Sequence, residues 1–193
     1  MLERICEISF FRDAAAIIIT GFAIKFTDDY LDEDLSTQIE QAFLPYFLLL
    51  FSVSALISRE GTGFFLAAYS IGMLKDPNLK LPFGLSNWHE SVIVIFISIM
   101  LLGCVKTVES VAIMLTVQIA DDIWDYYALK EKSANNTAAR FGIVEAFTAL
   151  MIFFIISIML DALKTVFVCL VTPIILVIYN KLIGREIEID DSV

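Results

Sequence analysis

Residues 9–27 read SFFRDAAAIIITGFAIKFT and run straight into DDYLD at 28–32. A nearly continuous apolar run closed by three carboxylates in five positions describes a helix that leaves a hydrophobic phase at its last turn. The pattern recurs. The apolar block 107–121 closes with DDIWD at 121–125. Further apolar blocks fall at 41–58, 62–75, 90–105, 143–160 and 163–182, so the sequence predicts about seven helices. A helix needs about 20 apolar residues, within a range of roughly 17–25, to cross a bilayer. Block 62–75 is short by that measure and is expected to be the weakest span or a re-entrant one.

Composition agrees with this reading. Of 193 residues, 59% are hydrophobic, above the roughly half of ordinary soluble domains. The mean hydropathy is +0.81. The apolar residues come in blocks and do not alternate as they would in a β-barrel. The expectation is a single all-α, multi-pass transmembrane domain over 1–193, with a flexible acidic tail at 186–193. Acidic residues outnumber basic ones 23 to 13, for a net charge of -10, which excludes a nucleic-acid partner. The single histidine, His89, argues against a His-rich metal site, and Cys6, Cys104 and Cys169 lack ligand spacing. The N-terminus reads MLERICEISFFRD, without the features of a cleaved signal.

Four crossings separate DDYLD from DDIWD, which puts both on one face. Loops on that face carry Lys25, Lys75, Lys80, Lys130, Lys132, Arg140, Lys181 and Arg185, against Arg4, Arg12, Arg59, Lys106 and Lys164 on the other. The excess of basic residues assigns the acidic motifs to the cytoplasmic side. KFTDDYLDED and QIADDIWDYY also read as an internal repeat, a device that builds a central site between two halves.

Residues three and four apart share a helix face, so Asp28 and Asp29 align with Asp32, and Asp121 and Asp122 with Asp125. Six carboxylates at one boundary repel one another unless a cation offsets them. Mg²⁺ takes one or two carboxylates and completes its shell with water and phosphate oxygens. The six aspartates are therefore expected to hold Mg²⁺ against a prenyl diphosphate. Asp29, Asp32, Asp121 and Asp125 would be central to its ionisation, because metal ions neutralise the charge on a departing diphosphate. Tyr30, Trp124 and Tyr126 offer ring faces to a carbocation. As bland alternatives, acids at a helix end are simply solvated, and aromatic residues at a membrane boundary form a belt.

On these motifs the chain resembles the UbiA-type intramembrane prenyltransferases. That family carries one motif of the form NDxxD(xxxD) and one of the form DxxxD. Asp28-Asp29-x-x-Asp32 matches the first, with Asp for Asn, and Asp121-x-x-x-Asp125 matches the second. Thr137, Arg140 and Gly142 lie close to where the family has a diphosphate-binding T-x-x-x-R-x-G loop, with one residue fewer between Thr137 and Arg140. The resemblance implies a nine-helix fold, here a core lacking the first and last helices. It implies a Mg²⁺-dependent transfer of a polyprenyl group to a lipophilic, aromatic acceptor, and diphosphate binding by Lys25, Lys130, Lys132 and Arg140. It covers about forty residues in motif. The chain departs at Ser36, where the family continues its first motif with Asp and basic residues. Lys25 is equally suited to pairing with Asp28 or Asp29. A terpene cyclase, a non-catalytic lipid-diphosphate binder and a divalent-cation transporter are the competing readings. A homo-oligomer would complete a wall left by absent helices.

Three smaller expectations complete the reading. Lys106 and Glu109 are expected to reach water near a helix end. Glu145 is a candidate substrate contact, and Pro173 is expected to kink the last helix.

Overall fold

The structure, a computed structural model, describes residues 2–31, 37–75, 85–129 and 136–183. It is all-α. The elements are α1 (Leu2–Leu31), α2 (Thr37–Ile57), α3 (Arg59–Lys75), α4 (Asn87–Leu102), α5 (Cys104–Trp124), a π-helical turn (Asp125–Leu129), the short α6 (Thr137–Phe141) and α7 (Ile143–Ile183). Asp161 breaks α7 with extended backbone angles (φ −154°, ψ 96°). The chain is thus a bundle of about seven long helical limbs, each holding one apolar block. The weak block, 62–75, lies inside α3, a continuous helix of 17 residues. Pro173 lies inside the helical stretch, and a break in helical backbone angles falls at Asp161.

Contacts fix the direction of each limb. Ala146 packs with Ile119, and Tyr126 lies against the same cluster, so the first limb of α7 starts beside the end of α5. Lys164 reaches Glu109 near the start of α5. Tyr179 then stacks edge-on with Phe26, back beside the acidic end of α1. The two limbs of α7 therefore double back at Asp161.

Three tight corners collect at the end of the bundle away from the aspartates. Each is closed by one residue: Ser58 between α2 and α3, Gly103 between α4 and α5, and Asp161 within α7. Gly103 has φ +89°, a conformation that side chains resist. Ser58 donates to Asp13 (2.6 Å) and accepts from the Glu60 N–H (3.2 Å). Asp161 caps the second limb by accepting the Lys164 N–H at 3.0 Å.

The corners are held by buried charge. Lys164 Nζ contacts Glu109, Glu60 (2.9 Å) and Asp161 (3.6 Å). Lys106 Nζ contacts Glu109 (3.0 Å) and Glu60 (3.3 Å). Glu109 is 2% exposed, so its expected reach to water is corrected. It sits in an ion network that ties α3, α5 and α7.

The packing places small polar residues inside and large apolar ones outside. Thr20, Ser54, Ser70, Ser91, Ser98, Thr107, Thr116 and Ser157 are buried. Some bridge helices, as Thr20 to Ser54 (2.6 Å) and Ser91 to the Ser70 carbonyl (2.7 Å). Others bond back within their own helix, as Thr116 to Ala112 O (2.8 Å). Helices approach closely there. A Cβ on Gly61 would lie 2.0 Å from Ser54 Oγ. Outward face Phe96, Met100 and Leu101 of α4, and Ile152, Met159, Leu163 and Leu170 of α7. Among the described residues one helical stretch, Ile143–Leu182, is long and apolar enough to cross a membrane, and Leu44–Ile57 and Asn87–Leu102 are shorter apolar helices.

Removing one partner of a buried ion network leaves an uncompensated charge, at a cost of about 3–5 kcal/mol. Glu109→Ala is therefore expected to lower the thermal midpoint of the purified protein strongly. Arg12→Ala, which breaks an exposed pair of 3.7 Å with Asp13, is expected to change stability by less than about 1 kcal/mol. Equal midpoints for the two variants would contradict a structural role for the network.

Candidate functional site

Four helices surround a cavity of about 190 Å³, and each contributes one stripe at helical spacing. From α1 come Ile17, Thr20, Gly21, Ile24, Lys25 and Asp28; from α3, Phe64, Ala68 and Gly72. From α5 come Met114, Val117, Gln118, Asp121 and Asp122; from the second limb of α7, Val168, Val171, Thr172, Ile175 and Leu176. Steps of three and four place each set on one face. Ile17, Phe64, Ile113 and Val168 pack together as an apolar floor, which separates the cavity from the ion network. Lys25, Asp28, Asp121 and Asp122 lie at the opposite end and form its mouth. The two acidic motifs thus meet at one apolar cavity, each through its first aspartates.

All four lining helices run from the floor toward the mouth. Their C-terminal ends therefore gather there, each equivalent to roughly half a negative charge. Acids in a last helical turn work against that dipole, at about 0.3–1 kcal/mol each. The resident offset is Lys25. Its ammonium is 2.9 Å from Asp29 and 3.7 Å from Asp28, and Asp121 of the facing helix adds its field. The side chain of Asp29 is 3% exposed against 50% for Asp28. Asp29 is thus a buried partner of Lys25, while Asp28 faces the mouth.

The second motif is braced differently. Asp122 Oδ2 accepts the Thr137 N–H at 2.9 Å, and its carbonyl accepts Asn136 Nδ2 at 2.7 Å. Asn136 in turn caps α6 through the Ala139 N–H (3.0 Å). The 136–142 segment is thereby docked against Asp122, and Thr137 contributes through its backbone. The Asp125 N–H is shared by the carbonyls of Asp121 and Asp122, and a π-helical turn begins at this half-buried residue. Such turns are frequent at functional sites.

Several expected residues lie elsewhere. Tyr126 packs against the cluster of Ile119, Ala138 and Ala146, away from the cavity. Trp124 and Tyr30 are exposed and outside the cavity lining. Arg140 is exposed over the Phe141 ring at 5.2 Å, and Glu145 is exposed beside Gly142. Asp32, Lys130, Lys132 and the tail 186–193 lie outside the described residues. Among the described residues no group of three or more His, Cys, Asp and Glu side chains is gathered to hold a metal ion. Sequence reading passed over Gln118, which lines the mouth three and four residues before Asp121 and Asp122. That spacing was available as a signal.

An all-protein cage for Mg²⁺ is not built from the described residues. Asp28 and Asp121 nevertheless bring one exposed carboxylate from each helix to the mouth. That is the number Mg²⁺ takes when phosphate oxygens and water fill the remainder. Comparison with protein-family models, with curated proteins and with solved structures gives no match.

Gly72 faces the cavity, and a Cβ there would meet nothing within 4 Å. Gly72→Leu is expected to keep the melting temperature within about 2 °C of wild type. It should also fill the cavity and abolish any stabilisation by an added prenyl diphosphate. Retained stabilisation in this variant would exclude the cavity as the binding site.

Proposed function

We propose that the chain is a multi-pass membrane protein whose cavity takes the hydrocarbon tail of a prenyl diphosphate, with the diphosphate at the acidic mouth. The observation that carries this is the junction of one apolar cavity with carboxylates from two helix ends, placed where helix dipoles disfavour them. The membrane assignment is supported by the outward apolar faces of α4 and α7 and the small polar interior, as in helix packing within lipid. At 1.5 Å per residue, the limb 143–160 is about 27 Å long, close to a hydrocarbon core of about 30 Å. The basic loops of the acidic end favour its placement in the cytoplasm.

The reaction read from this site is prenyl transfer of the UbiA type. The allylic C–O bond breaks and its electron pair leaves on the diphosphate; a lipophilic, aromatic acceptor forms the new bond to the prenyl carbon and gives up the proton it carried there to water. Asp28 and Asp121 would hold Mg²⁺ together with the diphosphate, and the ion when bound neutralises charge on the leaving group. Lys25 would contact the same oxygens. Ile24, Val117 and Val171 exclude water from the tail, and the floor at Phe64 limits its depth.

A second reading, a non-catalytic binder of lipid diphosphates, is favoured by one observation. Tyr30, Trp124 and Tyr126 do not line the cavity, which leaves Phe64 as the aromatic ring facing it among the described residues.

Release of diphosphate from prenyl donors separates the two. Only interactions that strengthen in the transition state raise the rate of the chemical step. Asp121→Asn is therefore expected to lower turnover by about two orders of magnitude, equivalent to roughly 3 kcal/mol, while donor affinity falls much less. A wild-type protein that binds prenyl diphosphates and releases none across donors and acceptors would be a binder.

A further inference from the structure

We infer that the closed end of the bundle carries an oxyanion site for a phosphate group, built by Arg59, Lys106 and Ser110 around a cavity of about 130 Å³ between the starts of α3 and α5. The site lies at the opposite end from the acidic mouth and is independent of what that mouth binds.

Two helices held in register build this cavity. Arg59, Glu60 and Gly63 line it from α3, Lys106 and Ser110 from α5, and Leu102 from the end of α4. Two contacts set the gap between α3 and α5. Lys106 Nζ is 3.3 Å from Glu60, and one turn further in, a Cβ on Gly63 would lie 3.0 Å from Ser110 Oγ. The carboxylates here are already served, since Glu60 and Glu109 each meet both Lys106 and Lys164. What remains is donors. Arg59 is exposed and makes no ion pair among the described residues. Ser110 is 3% exposed, and its hydroxyl, on the cavity wall, makes no hydrogen bond among the described residues. Lys106 gives N–H groups to Glu60 and Glu109 and keeps one to spare.

A guanidinium fork, a spare ammonium N–H and a hydroxyl thus border one space. A tetrahedral phosphate uses all three, because the fork takes two of its oxygens and the others accept from Lys106 and Ser110. A buried hydroxyl without a partner is costly, and a ligand oxygen satisfies it. At roughly 30 Å³ per water, the cavity has room for about four water-sized groups, which suits the oxygens of one phosphate. The starts of α3 and α5 add positive field, and the end of α4 offsets part of it. A phosphate group reaches this end either from solution or on a lipid. Met100, Leu101 and Val105, exposed on either side of Leu102 in sequence, offer apolar surface to acyl chains. An arginine and a serine that were merely solvated would leave phosphate affinity unchanged when replaced.

The test uses the purified full chain with EDTA present, so that no metal recruits phosphate to the acidic mouth. One probe is radiolabelled inorganic phosphate, followed by equilibrium dialysis. The other is phosphatidic acid, set against phosphatidylcholine in nanodiscs, with retained lipid counted by native mass spectrometry. Arg59→Gln is expected to weaken binding at least about ten-fold and Ser110→Ala about three-fold, the effects of losing a charge-assisted and a neutral hydrogen bond. Both variants are expected to melt within about 2 °C of wild type. Gly72→Leu, which fills the other cavity, is expected to bind as wild type does. Binding of inorganic phosphate would assign the site to a solute, and binding of phosphatidic acid alone would assign it to a lipid headgroup. Wild-type affinity in R59Q, or no saturable binding of either probe by the wild-type chain, would overturn the site. Loss of binding in Gly72→Leu would place the phosphate in the other cavity and overturn it as well.

Discussion

Two lysines and three carboxylates at the closed end of the bundle set the rest of the structure. Lys106 and Lys164 share Glu60 and Glu109, and Asp161 adds a contact to Lys164 while capping the helix that carries it. Isolated charges in such a place would be costly. Paired, they draw the starts of α3, α5 and the second limb of α7 to one point. Ser58 ties α1 to the same region through Asp13. With their starts gathered, these helices run together toward the other end.

That common direction explains the character of the mouth. Four lining helices with the same sense bring four C-terminal ends to the mouth, and the antiparallel α2, α4 and first limb of α7, packed outside the lining, offset part of that field. The aspartates of both motifs add to this negative field, and Lys25 opposes it. Acids are better placed at helix starts than at helix ends, so these positions do not favour stability. The apolar floor of Ile17, Phe64, Ile113 and Val168 keeps the mouth and the ion network apart. One end of the bundle is thus satisfied internally, while the other keeps exposed carboxylate in Asp28 and Asp121.

Much of this was legible in the sequence. Every apolar block became a helical limb, because long apolar runs leave a buried or lipid-facing helix as the way to satisfy the backbone. The shared face of DDYLD and DDIWD followed from counting limbs between them. The division of labour within each motif was not legible. Nothing in DD says that Asp29 turns inward to Lys25 while Asp28 faces the cavity, since both lie within reach of the same turn. The ion network was hidden for another reason. Glu60 and Lys164 pair across 104 positions of sequence, and only tertiary packing brings them together. The aromatic residues beside the motifs were placed by their neighbours in sequence, yet helix rotation turned Tyr126 into the α5–α7 contact and Trp124 outward.

The central claim is that one ligand joins the two motifs, its polar head at the mouth and its tail in the cavity. A structure of the protein with Mg²⁺ and a prenyl thiodiphosphate tests it most directly. The expected result is density for the diphosphate and metal between Asp28 and Asp121, with the prenyl chain running past Ile24 and Val117 toward Phe64. A prenyl diphosphate bound elsewhere, with this mouth and cavity unchanged, would contradict it.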